Sequence, residues 1–272
     1  MASPVSRPGA RVFVGGLGAL AAGALFACGA FGSATQDAAG GADGSAGDAA
    51  AALDGHEPDA STSTRGDSGC PGSAGPYGVR VGSFCIDATE VTRSDYAAFA
   101  AAASGTTLDA GARCGPVPIS ALAPDDAGTL PMTDVTFCEA RAYCSWAGKQ
   151  LCGLIDGGAA AHAQLATQDG AWFHACTGGT ADVVHLVSDG GCNVDALGLH
   201  AAGSSCQGGV AGLFDMVGSV WEWVESTDSP AAPLAWLQGG SWGSPSTVTC
   251  STISSALIDS RGFDVGFRCC AP

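Results

Sequence analysis

Gly212–Trp223 reads GLFDMVGSVWEW, and its punctuation sets the reading of the rest of the chain. Gly212 and Gly218 interrupt an apolar run, and Val220–Val224 then carries the β-branched and aromatic residues of a short strand leaving a glycine turn. Leu237–Trp242 and Val265–Cys270 repeat this pattern downstream, and Val79–Ile86 (VRVGSFCI) reads as a strand upstream. Helices are marked by their starts. Thr92-Arg93-Ser94-Asp95 is a capping box opening a helix through Tyr96 and Phe99. Thr136-Phe137-Cys138-Glu139 opens a second, with Phe137, Ala140, Tyr143, Cys144 and Ala147 at helical spacing. Gly148 is placed to stop it, with Lys149 near the last carbonyls. Trp172–Cys176 suggests a third, short helix. With 42 glycines and 13 prolines, the expectation is a mixed α+β domain of short elements and many loops.

Composition narrows the function classes. The net charge is −16 and charged residues make up only 13% of the chain. So few Lys and Arg side chains cannot neutralise a phosphate backbone, which argues against nucleic-acid binding. An anionic membrane surface would repel the chain as well. Residues 29–79 are mostly Ala, Gly, Ser, Thr and Asp, too poor in apolar surface to offset chain entropy, and read as a disordered tether. From residue 80 to 272 aromatics, β-branched residues and regular cysteines appear, as expected of one domain.

The N-terminus explains the odd cysteine count. Arg7 and Arg11 precede Val12–Ala27, an uncharged, mostly apolar run too short for a membrane span of about 20 residues. It ends at Leu25-Phe26-Ala27-Cys28, which resembles a bacterial lipobox with Cys28 as the lipidated residue. An ordinary signal peptide cleaved near Ala30 is the alternative. Residues 1–28 thus read as a signal segment, and the protein as exported, lipid-anchored at a bacterial envelope or else secreted. The GxGxxA match at Gly16–Ala21 lies inside the signal and carries no dinucleotide site.

Removing Cys28 from the 13 cysteines leaves an even twelve. No CxxC pair is present, so disulfides are favoured over a zinc site. Cys138 and Cys144 bridge to different partners, and adjacent Cys269 and Cys270 point to opposite faces of a strand. His56, His162, His174, His185 and His200 show no metal-ligand spacing, and Asp125-Asp126 reads as a solvated loop.

Four segments in order carry a family resemblance: Phe84–Phe99 (FCIDATEVTRSDYAAF), Pro131–Leu151 (PMTDVTFCEARAYCSWAGKQL), Gly212–Trp223, and QGGSW at Gln238–Trp242 followed by VGFRC at Val265–Cys269. The chain resembles the formylglycine-generating enzymes, or sulfatase-modifying factor domains, from about Arg80 to Pro272. The resemblance implies an irregular, disulfide-rich α+β fold related to C-type lectins, with bridges Cys144–Cys269 and Cys176–Cys250. It implies a structural calcium held by Val217, Gly218, Val220 and Glu222, where oxygen ligands suit a hard cation. Ser219 stands there in place of the usual Asn. A second calcium position matches Asn193 and Val194.

The resemblance breaks at the catalytic segment. Active relatives bind copper(I) through two thiolates after the GGS motif and oxidise a substrate cysteine with oxygen. Here Ser244 and the region near Thr249 occupy those positions, and Cys250 matches a structural half-cystine. Hydroxyls do not replace thiolates on a soft ion. No copper and no catalytic residue are therefore expected. The reading is a non-catalytic binding domain for a peptide, protein or glycan, with Trp221, Trp223, Trp236 and Trp242 as aromatic contacts and Trp221 and Trp242 favoured as core. An active oxidase and a structural envelope protein are the alternatives.

Overall fold

In a computed structural model, residues 69–120, 128–180, 191–227 and 233–272 are described. Cys28, Gly16–Ala21, His56, Asp125, Asp126, His185 and most of the 29–79 segment lie outside them.

The described elements begin with a hairpin, β1 (Gly78–Val81) and β2 (Phe84–Asp87). Val79–Ile86 is therefore two strands rather than one. Val81 pairs with Phe84, and Gly82, at φ 58, makes the reversal that a continuous strand would forbid. Helix α1 (Arg93–Ala103) follows, with Thr92 and Asp95 forming both halves of the capping box. A small ladder joins β3 (Thr107–Asp109) to β4 (Pro116–Pro118). Helix α2 (Phe137–Trp146) starts at the Thr136–Glu139 box and stops before Gly148 at φ 74. Strand β5 (Gln150–Leu151), the short α3 (His162–Leu165) and α4 (Ala171–Thr177) come next. Strands β6 (Trp221–Val224), β7 (Leu234–Gln238), β8 (Ile253–Leu257), β9 (Val265–Gly266) and β10 (Cys269–Ala271) complete the described elements. β7 ends earlier than the sequence pattern indicates. Gly239 and Gly240 take φ 92 and 80, so Ser241 and Trp242 enter a turn.

Two four-stranded sheets organise the domain, in orders β1-β2-β10-β5 and β8-β7-β6-β9. β6 and β9 pair in parallel, and the other pairings are antiparallel. The last strand, β10, lies between β2 and β5, so the end of the chain closes the first sheet. One core gathers α1 and α2, where Tyr96 stacks on Tyr143 at 5.7 Å and Phe99, Trp146 and Phe267 pack around them. The other gathers α4, β2 and the Leu213–Val217 segment around Trp172.

Six disulfides pin these parts. Cys144–Cys269 and Cys176–Cys250 are the pairs implied by the resemblance. The others are Cys70–Cys85, Cys114–Cys138, Cys152–Cys270 and Cys192–Cys206. Cys269 belongs to the first core and Cys270 to the second, as strand alternation requires. Cys70, in the segment read as a tether, is bonded to Cys85 of β2, and Ser73 N–H donates to Ala147 O. The folded body therefore begins before residue 80. Lys149 does not cap α2. Its ammonium is buried and pairs with Asp87 Oδ1 at 2.5 Å.

Candidate functional site

The Gly212–Trp223 stretch folds into a turn and the start of β6 around a buried charge cluster. Glu222, 1% exposed, receives Arg268 Nε and Nη2 on Oε1 at 3.0 and 2.8 Å. Its Oε2 receives Arg268 Nε and Trp172 Nε1, both at 2.8 Å. Arg268 further donates to the carbonyls of Asp87, Ala88, Phe214 and Asp215. Burial pulls the Arg268 pKa down, but the acids around it, Glu222 first and then Glu90 and Asp215, together more than restore it, so the guanidinium stays charged.

Two further acids face this guanidinium. Asp215, left-handed at φ 56, accepts the backbone N–H groups of Gly203 and Ser205. Glu90 is fully buried, 4.0 Å from Arg268 Nη2, and neither of its oxygens has a hydrogen-bond partner. Burial, then the Asp215 charge, push its pKa up to about 8, with Arg268 opposing. Burial likewise raises Asp87 to about 6 against the pull of Lys149.

This geometry bears on the expected calcium ligands. Of the expected ligands, Gly218 lies against Asn193 and Val194: a Cβ on it would fall 2.4 Å from Asn193 O, and the neighbouring Ser219 N–H donates to that oxygen at 2.8 Å. A carboxylate offers about four lone-pair positions. On Glu222 the four contacts come from three N–H groups, since the single Arg268 Nε–H is shared by both oxygens, and Arg268 supplies the charge that balances this carboxylate. Asn193 Oδ1 is different, being buried without a partner and open to a donor or cation. Arg268, Glu90 and Asp215 escaped the sequence reading, although a lone arginine inside VGFRCC already called for a buried acid.

The segment after β7 is closed by hydrogen bonds. Ser244 Oγ accepts the Ser241 N–H at 2.9 Å, and Ser241 Oγ donates to Asp264 Oδ2 at 2.9 Å. Trp242 N–H donates to Ser219 O, joining this turn to the Gly212–Trp223 stretch. Trp242 packs on Phe263, itself 66% exposed. The fully buried tryptophans are Trp172 and Trp223, while Trp221, Trp236 and Trp242 are half-buried. His162 packs on Trp236, and His174 meets Phe84 edge-on.

Residues 56–271 match the family described as the sulfatase-modifying factor enzyme 1-like domain. The chain belongs to that family. Its match to mouse "Inactive C-alpha-formylglycine-generating enzyme 2" is 29% identical over 149 residues, 52% of this chain and 48% of that protein. The chain thus spans about half the length of this curated relative. Among solved structures, PvdO from Pseudomonas aeruginosa aligns with TM-score 0.46 and 18% identity, covering 69% of this chain and 80% of that one. CarF aligns with TM-score 0.45 and 19% identity, covering 75% and 96%.

Within this sulfatase-modifying factor domain, the catalytic segment holds hydroxyls. Ser244 is committed to the Ser241 turn, and Thr249 accepts from Ser251 N–H while its own N–H binds Thr252 Oγ1. Cys250 is joined to Cys176. All twelve described cysteines are in disulfides. Among the described residues no three His, Cys, Asp or Glu side chains form a metal-holding group, and no helix is long and apolar enough to cross a membrane.

Proposed function

We propose that this is an exported bacterial protein, lipid-anchored through Cys28, whose sulfatase-modifying factor domain binds a peptide, protein or glycan rather than oxidising cysteine. One observation carries the reading: Cys250, the sole cysteine following the GGS motif before β10, is half of the Cys176–Cys250 bridge. A bridged sulfur is not a thiolate, and the neighbouring serine and threonine hydroxyls are poor ligands for copper(I). The match to a relative named as inactive supports the same direction.

The test has two arms. Titration of the unreduced, folded protein without Cys28 should find no free thiol; two free thiols including Cys250 would restore the oxidase. Co-expression with a peptide carrying CxPxR, followed by mass spectrometry, should leave its cysteine unmodified. Conversion to formylglycine would overturn the proposal.

A further inference from the structure

A cleft of about 360 Å³ opens between the first turns of α1 and α2, and no residue of the Ser241–Cys250 segment lines it. Tyr96, Ile119, Met132 and Val135 give it apolar walls, and four charged side chains line it: Arg93, Asp134, Glu139 and Arg261. Two of these are committed to each other. Arg261 donates to Glu139 Oε1 at 2.5 Å and to the Asp134 carbonyl. The second Glu139 oxygen accepts the Thr136 N–H and hydroxyl in the capping box.

The other two are open. Among the described residues the half-buried Arg93 guanidinium makes no hydrogen bond or ion pair, and neither does the Asp134 carboxylate. Among the described residues Asp134 is also one of four non-glycine residues with positive φ, at 57°, held there while its N–H donates to Gly262 O. The cleft therefore offers one uncommitted cation, one uncommitted anion and an apolar floor. Its four formal charges cancel, so neither a net anion nor a net cation is favoured over a ligand bearing both signs. The volume lies within the range of small-molecule sites, which pair apolar walls with a few placed polar groups.

We propose that this cleft binds a zwitterion of amino-acid size with an apolar side chain. The ligand carboxylate takes Arg93, whose planar fork suits it. The ligand ammonium takes Asp134, and the side chain lies on Ile119, Met132 and Val135. No bond is made or broken.

Calorimetry on the full chain tests this with three probes: L-leucine, leucinamide, which lacks the carboxylate, and N-acetyl-leucine, which lacks the ammonium. Leucine should bind, and each blocked analogue should bind about tenfold more weakly or worse, the loss expected for one charge-assisted hydrogen bond. Arg93→Gln should abolish the preference for leucine over leucinamide. Asp134→Asn should abolish the preference over N-acetyl-leucine, and Asn is at home in the left-handed region, so the turn is kept. Absence of heat with leucine overturns the proposal. Equal binding of N-acetyl-leucine also overturns it, as the mark of a plain anion site or of a peptide C-terminus. So does unchanged leucine binding in both variants. None of these outcomes touches the thiol or conversion tests above.

Discussion

Arg268 faces three carboxylates, those of Glu222, Glu90 and Asp215, with almost no contact with solvent. Removing the guanidinium would leave Glu222 buried with Trp172 as its remaining donor. An uncompensated buried charge of this kind costs about 3–5 kcal/mol. Arg268→Met should therefore lose that much in a urea unfolding titration. Glu90 moves stability in the opposite sense. Its folded pKa of about 8 lies above the ordinary 4.5. Between those values the folded state holds a proton that the unfolded state has released. Stability from this group is thus fully present at acid pH and is lost as pH rises toward 8. Asp87, raised from 3.8 to about 6, adds the same sign over a lower window. Glu90→Gln should flatten the stability-versus-pH curve between pH 5 and 8 and raise the Tm at neutral pH by ~2–4 °C, the equivalent of about 1 kcal/mol. An unchanged slope in Glu90→Gln would show that another group sets it. The sequence makes Glu222 visible through its turn. It hides Glu90, because nothing in ATEVT distinguishes a buried acid from a solvated one until Arg268 is brought across from the last strand.

At the scale of elements, β10 is held on both faces, Cys269 to α2 and Cys270 to the residue after β5. The two bridges run nearly parallel in the chain, with separations of 125 and 118. While either remains, the other closes only the short circuit from 144 to 152 and back through 269–270. In the chain-entropy picture a loop that short is worth ~3 kcal/mol, and a loop of about a hundred residues ~5. Removing either pair by Cys→Ala should therefore cost ~3 kcal/mol, and removing both ~7–8, more than the sum of the two. Denaturant titrations of the three variants check this, and strict additivity would show that the bridges act independently. The elements themselves were legible where chemistry is local. Both capping boxes start their helices where Thr92 and Thr136 indicated. The boundaries that shifted did so through non-local contacts. At Gly239 a Cβ would meet Met216 O at 2.8 Å and the Trp172 ring at 2.9 Å, a packing demand that ends β7 and is invisible in QGGSW alone. Lys149 left the helix end for Asp87 because the first sheet buries that acid beside it.

At the scale of the whole chain, the odd cysteine and the net charge of −16 make one joint prediction. Twelve cysteines are consumed by the fold, which leaves Cys28 free for another chemistry. A protein this acidic gains nothing from an anionic bilayer surface, so the attachment proposed above would come from apolar insertion rather than from charge. High salt, which screens charge within a few ångströms, should therefore leave the wild-type protein in the membrane fraction. Cys28→Ser should move it to the soluble fraction while the six bridges, and hence the Tm of the domain, stay unchanged. Continued membrane association of Cys28→Ser would remove the lipid from the proposal and assign the attachment to another part of the chain or to a membrane-bound partner. Release of the wild type by salt alone would make the attachment electrostatic, against the sign of the chain's own charge.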